Sequence, residues 1–126
     1  MLDLVLALYG CDWSEVPERV AGWGLQPAEA TQWVQQLTGE RGWRERVTAA
    51  KLAAHFALQD CVEPLVSTFE RVPENYTCRA FHRMLGCFPD QLAESQRQRM
   101  RAWCLEARMS QSYQRHLLSI LEAPPG

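Results

Sequence analysis

The stretch from Arg46 to Val66, RVTAAKLAAHFALQDCVEPLV, constrains the fold more than any other part of the chain, because it holds two helices and their connection in one short unit. In and beside its first half, Arg44, Thr48, Lys51, His55 and Gln59 recur at helical spacing on one narrow polar stripe. Val47, Ala49, Ala50, Leu52, Ala53, Ala54, Phe56 and Ala57 occupy nearly all the rest. So apolar a helix must be covered on two sides. Beyond a turn at Gln59 and Asp60, Val62, Leu65, Val66 and Phe69 fall at i, i+3, i+4 and i+7, which makes a second amphipathic helix packing back on the first. An apolar helix held between neighbours is what a stacked helical array requires, since each hairpin must bury a face against the next. Ala53 and Phe56 are expected at the centre of that packing.

The 126 residues suffice for one domain, 1–126, with one core, and 47% hydrophobic against 22% charged residues is an ordinary globular balance. The opening MLDLVLALYG carries Asp3, lacks a basic start and stops at Gly10, too short for a membrane span and unlike a signal peptide. A cytoplasmic protein with no membrane partner is expected. Cys11, Cys61, Cys78, Cys87 and Cys104 are odd in number and contain no C-x-x-C, which fits reduced thiols acting as small hydrophobes. Lys51 is the only lysine among 13 basic residues, an arginine usage that points to a GC-rich bacterial source.

Helix punctuation supports six or seven helices. Asp12 with Glu15, and Asp60 with Glu63, each form a capping pattern, Pro27 suits a first helical position, and Ser110 suits the cap of a last helix. From Asn75 onward Thr77, Ala80, Phe81, Met84, Leu85 and Phe88 share one face, with Tyr76, Arg79 and Arg83 opposite. The Leu2 to Tyr9 run favours helix over strand by its leucine content. The predicted fold class is all-α, as a short stack of antiparallel helical hairpins or an irregular helical bundle.

Two hairpins, roughly residues 43 to 71 and 75 to 108, follow one another with a similar order of elements. The first carries R-x-x-A-A-x-L-A from Arg46 to Ala53, an Asp turn, and V-x-P-L from Val62 to Leu65; in these residues it resembles a HEAT-like repeat. The second hairpin offers Cys78 to Gly86 but lacks the Pro-Leu pair, so the resemblance covers about a third of the chain. It implies a curved helical stack serving as a binding surface, and no catalytic residues.

Chemistry-bearing motifs are sparse. Cys78 and His82, at i and i+4, are the one pair placed to share a metal or form a nucleophile with its base, with His55 as a third candidate. A single pair of this kind arises by chance in a helix-rich chain, and no third orienting group accompanies it. No catalytic residue, metal ligand or cofactor is therefore assigned, and an enzyme is not expected.

Charge is uneven. Residues 1–40 hold six carboxylates against Arg19 alone, whereas residues 91–126 hold five arginines against three glutamates. The pI near 5.9 speaks against a dedicated nucleic-acid binder, although Arg97, Arg99, Arg101, Arg108 and Arg115 keep a small nucleic-acid-binding helical protein as the alternative. The leading expectation is a non-enzymatic adaptor that binds a protein partner, in its most specific form a bacterial immunity protein that inhibits a cognate toxin or effector. The first helices of successive hairpins lie side by side in such a stack, so Arg44, Lys51 and His55 are expected to join Tyr76, Arg79 and Arg83 in one protein-binding surface.

Overall fold

A computed structural model describes residues 2–40 and 42–125. Among them are eight α-helices and no strand: α1 (Leu2–Leu8), α2 (Val16–Trp23), α3 (Pro27–Gly39), α4 (Trp43–His55), α5 (Val62–Arg71), α6 (Asn75–Leu85), α7 (Asp90–Glu106) and α8 (Gln111–Glu122). The chain is all-α, with more helices than the six or seven read from the sequence. After Gly10 a 3₁₀ turn, Trp13–Glu15, leads into α2, the helix that the Asp12 and Glu15 pattern predicts. None of the described helices is long and apolar enough to cross a membrane.

Helices α4, α6 and α8 lie side by side in one row, and α3, α5 and α7 in a second row against it, while α1 and α2 cover the flank of α4. One core runs through both rows, from Leu4, Val5 and Leu8 to Leu117 and Leu121. The expected face of α6 is buried throughout, from Thr77 to Leu85, and Phe88 is buried just beyond it.

Helix α4 touches α1, α2, α3, α5 and α6, and this surround corrects the expected polar stripe. Every residue from Arg46 to Ala53 is buried, Thr48 and Lys51 included; of the stripe's members, Arg44 near the start of α4, His55 at its end and Gln59 beyond it are exposed. The three buried polar side chains, Arg46, Thr48 and Lys51, are tolerated because they are partnered. Thr48 Oγ1 donates to Arg44 O at 2.9 Å, and Arg46 Nη1 donates to Glu40 O at 3.2 Å. Burial still holds the Arg46 guanidinium below its ordinary pKa, against the opposing pull of Glu74 and Glu45.

Phe56 also departs from expectation. Ala53 is fully buried, but Phe56 lies at the C-cap of α4 and is half-buried, its ring edge-on to His55. The helix stops there because Leu58 N–H reaches back to Ala53 O at 2.9 Å and Ala57 N–H to Ala54 O at 3.3 Å, with Ala57 in the left-handed region at φ 53°. A Cβ in that region clashes with the carbonyl oxygen that follows it, which glycine avoids. Ala57 is exposed, so its methyl group returns no packing. Ala57→Gly is expected to stabilise the fold by about 0.5–1 kcal/mol, seen as a melting temperature raised by a few degrees. A lower melting temperature would mean that this turn is not strained.

Of the two D-x-x-E capping patterns, neither aspartate caps its helix. Both helices are preceded by a 3₁₀ turn, and the glutamates pair elsewhere: Glu15 with Arg19 at 3.1 Å, and Glu63 with Arg99. Ser110 does cap α8, its Oγ accepting from Tyr113 N–H at 3.3 Å.

Candidate functional site

A groove of about 380 Å³ opens where four parts of the chain meet: the α1–α2 connection, α4, α6, and the segment after α8. Its apolar floor includes Val47, Ala80 and Ile120. Tyr9, Trp13, Trp43 and Tyr76 bring aromatic rings to its walls, Arg79 and Arg83 bring two guanidinium groups, and Pro124 and Pro125 form one side.

Lys51 holds the first wall in place. Its side chain is 3% exposed, and Nζ donates to Leu8 O at 2.7 Å, Tyr9 O at 3.1 Å and Cys11 O at 2.6 Å. These include carbonyls that the end of a helix leaves without intrahelical partners, so one ammonium group with three donors both terminates α1 and ties it to α4. The next residues then lie over α4 and α6. Trp13 sits with Lys51 Nζ 5.8 Å and the Arg83 guanidinium carbon 5.4 Å from its ring, within reach of cation–π attraction.

The aromatic rim is built by contact between distant segments. Trp43 stacks on Tyr76 with ring centres 4.6 Å apart and planes 25° apart, and meets Tyr9 edge-on at 5.7 Å. Arg44 covers this group, its guanidinium carbon 4.7 Å from the Trp43 ring and 5.3 Å from that of Tyr9. Tyr76 nevertheless remains 55% exposed, an unusual state for a tyrosine already part of a packed cluster.

The opposite wall depends on His82. Its Nε2 lies 2.6 Å from Ala123 O, so the ring proton sits on Nε2 and donates to the carbonyl. The backbone after α8 is thereby fixed across the end of α6. Burial holds the His82 pKa below its ordinary value, partly opposed by the Ala123 hydrogen bond and reinforced by the nearby charge of Arg97. The other ring nitrogen, Nδ1, is buried with no hydrogen-bond partner, so a second proton would have no acceptor there. Because the folded pKa lies below the unfolded value near 6.5, the unfolded chain takes up this proton first as pH falls. The His82 contribution is complete above pH ~6.5 and is lost as pH falls through the depressed folded pKa. Urea unfolding from pH 7.5 down to about 5 is expected to show a steeper loss of stability in the wild type than in His82→Gln. Equal slopes would place His82 outside the acid response.

The surface predicted from sequence is assembled only in part. Lys51, Tyr76, Arg79 and Arg83 line the groove, and Arg44 packs on its aromatic rim. Lys51 lies beneath the surface as a support, not on it. His55 is at the far end of α4 against Phe56 and does not belong to this site. Sequence reasoning missed Tyr9, Trp13 and Trp43 as members. No local pattern places residues 9–13 beside residue 76.

The Cys78–His82 pair has no free chemistry to offer. Burial pushes the Cys78 thiol up to about 12, and His82 Nε2 is committed to the Ala123 carbonyl. Among the described residues no group of three or more His, Cys, Asp or Glu side chains gathers as a metal site would. The C-terminal arginines are likewise divided. Arg99 pairs with Glu63 and Glu70 and donates to Ser67 Oγ at 3.1 Å, whereas Arg108 and Arg115 are exposed.

Compared with known proteins, the chain matches no family model, no curated protein and no solved structure.

Proposed function

We propose that this chain is a non-enzymatic protein-binding module and that the groove between α4, α6 and the α1–α2 connection is its recognition surface. The observation that carries this reading is the rim itself: an exposed Tyr76 held flat against Trp43 and flanked by Arg44 and Arg79. Aromatic and arginine side chains fixed before binding lose little freedom on contact, and these residue types dominate the energetics of protein interfaces. The raised thiol of Cys78 and the committed imidazole of His82 weigh against a Cys/His enzyme. The ion pairs of Arg99 take that one of the C-terminal arginines out of a phosphate-binding role. In the narrower form of the proposal the partner is a toxin or effector and the chain its immunity protein; small size and acidic balance support that form.

A photo-crosslinker introduced at Gln111, outside the groove, and another at the exposed Pro124, which lines it, provide the test. Partner capture should occur from position 124 and not from position 111. Tyr76→Ala and Arg79→Ala should each weaken the captured partner by about 2 kcal/mol, while the melting temperature falls by a few degrees at most, since both side chains are exposed and Tyr76 loses only its stacking on Trp43. If both variants bind normally while Glu15→Gln or Glu18→Gln abolishes binding, the acidic N-terminal part is the recognition surface and the groove is not.

A further inference from the structure

Resting on the reading that the groove binds protein, we infer that its occupant is an acidic peptide segment of the partner. Its carboxylates would lie on Arg79 and Arg83, and an apolar or aromatic side chain would lie against Trp43 and Tyr76. The chain as a whole carries a net charge of −2, yet Lys51, Arg79 and Arg83 line this groove against Asp12 alone. The groove is a positive site on a negative protein.

Arg79 and Arg83 stand one turn apart on α6, a spacing at which like charges repel and weaken a helix. Among the described residues no carboxylate pairs with either of them. Arg79 Nε donates to Asn75 Oδ1 at 3.1 Å, and Arg83 rests over the Trp13 ring. The planar fork of each guanidinium thus keeps donors for a carboxylate, which it binds through two parallel hydrogen bonds. Lys51 contributes charge without donors, since its three are spent on carbonyls. A volume of about 380 Å³ with apolar residues in its floor is too large for a lone anion and suits a few residues of extended chain.

Two features favour a peptide over a nucleic-acid strand. Trp43 and Tyr76 stack on each other, so the rim offers no open slot between two rings for a base. Asp12 lines the groove and Glu15 and Glu18 follow it in the chain, which disfavours a continuous polyanion but admits a segment with a few carboxylates.

The test uses the full chain and three fluorescein-labelled probes: a random Glu/Tyr copolymer, polylysine and oligothymidylate, followed by anisotropy. The Glu/Tyr copolymer should bind and polylysine should not. Arg79→Glu should weaken copolymer binding about thirtyfold. Arg83→Glu should do the same, and Arg83→Lys, which keeps the charge but not the fork, should lose a smaller part of the affinity. Arg108→Glu, on the exposed α7–α8 connection, should change nothing. Arg79→Glu carries the test if Arg83→Glu disturbs Trp13 and lowers the melting temperature. Absent copolymer binding, binding indifferent to Arg79→Glu, or preference for oligothymidylate that Arg79→Glu removes would each overturn the acidic-peptide assignment. The groove reading is judged separately on the crosslinked partner. A neutral or basic crosslinked segment that still responds to Tyr76→Ala leaves that reading standing and removes this one.

Discussion

Replacing Phe69 with alanine is expected to cost about 3–5 kcal/mol, a large part of the stability of a domain this size. Phe69 is fully buried in α5 and meets Phe81 edge-on at 6.5 Å and Trp103 at 5.7 Å, so it joins α5, α6 and α7 at one point. Truncation loses the transfer free energy of the ring and leaves a cavity among large, close-packed side chains that cannot collapse into it. Phe56, at the edge of the core, should lose only about 1 kcal/mol on the same change, because its ring is already in part exposed to water. Equilibrium denaturation of the two variants checks the pair. Equal losses, or a greater loss at Phe56, would mean that the core does not lie where the three helices meet.

Lys51→Met is expected to destabilise the protein by about 3 kcal/mol or more, although methionine fills similar volume and is the more hydrophobic side chain. The substitution removes three hydrogen bonds from a charged donor and strands the carbonyls of Leu8, Tyr9 and Cys11 around an apolar tip. Its second effect is local. Trp13 loses one of the two cations beside its ring, so partner binding should weaken together with stability. A loss below 1 kcal/mol in denaturant would show that water replaces the ammonium group at no cost and that the end of α1 needs no such tie.

Helical periodicity made the fold legible wherever it coincided with burial. The face from Thr77 to Phe88 and the stripe from Val62 to Phe69 are buried as their spacing implies, because an amphipathic pattern reports directly on a single covered side. The same logic failed at Thr48 and Lys51. Periodicity separates polar from apolar side chains, but a polar side chain whose donors find carbonyl oxygens can be buried as fully as leucine. Those partners lie a turn away for Thr48 and more than forty residues away for most of the Lys51 bonds. The D-x-x-E patterns misled for a related reason, since Glu63 is drawn to Arg99 on another helix and Glu15 to Arg19. Half of the candidate site, Tyr76, Arg79 and Arg83, was visible as one face of α6. The other half is supplied by Tyr9, Trp13 and Trp43, which reach it only through the packing of α1 and α4, and no spacing rule records that encounter.

The Lys51 tie also fixes an order of events. Its bonds span 40 to 43 residues of chain, so they cannot form until α4 exists and the intervening loop has closed, whereas the pairings of α4 with α3 and of α5 with α6 are local in sequence. The N-terminal helix is therefore expected to dock late, and its amides should exchange with solvent deuterium through partial opening rather than global unfolding. When that unit swings away, Tyr9 and Trp13 leave with it and the groove loses a wall. If the groove binds as proposed, recognition and completion of folding are the same state, and a ligand that fills the groove would slow deuterium uptake in a helix it scarcely touches.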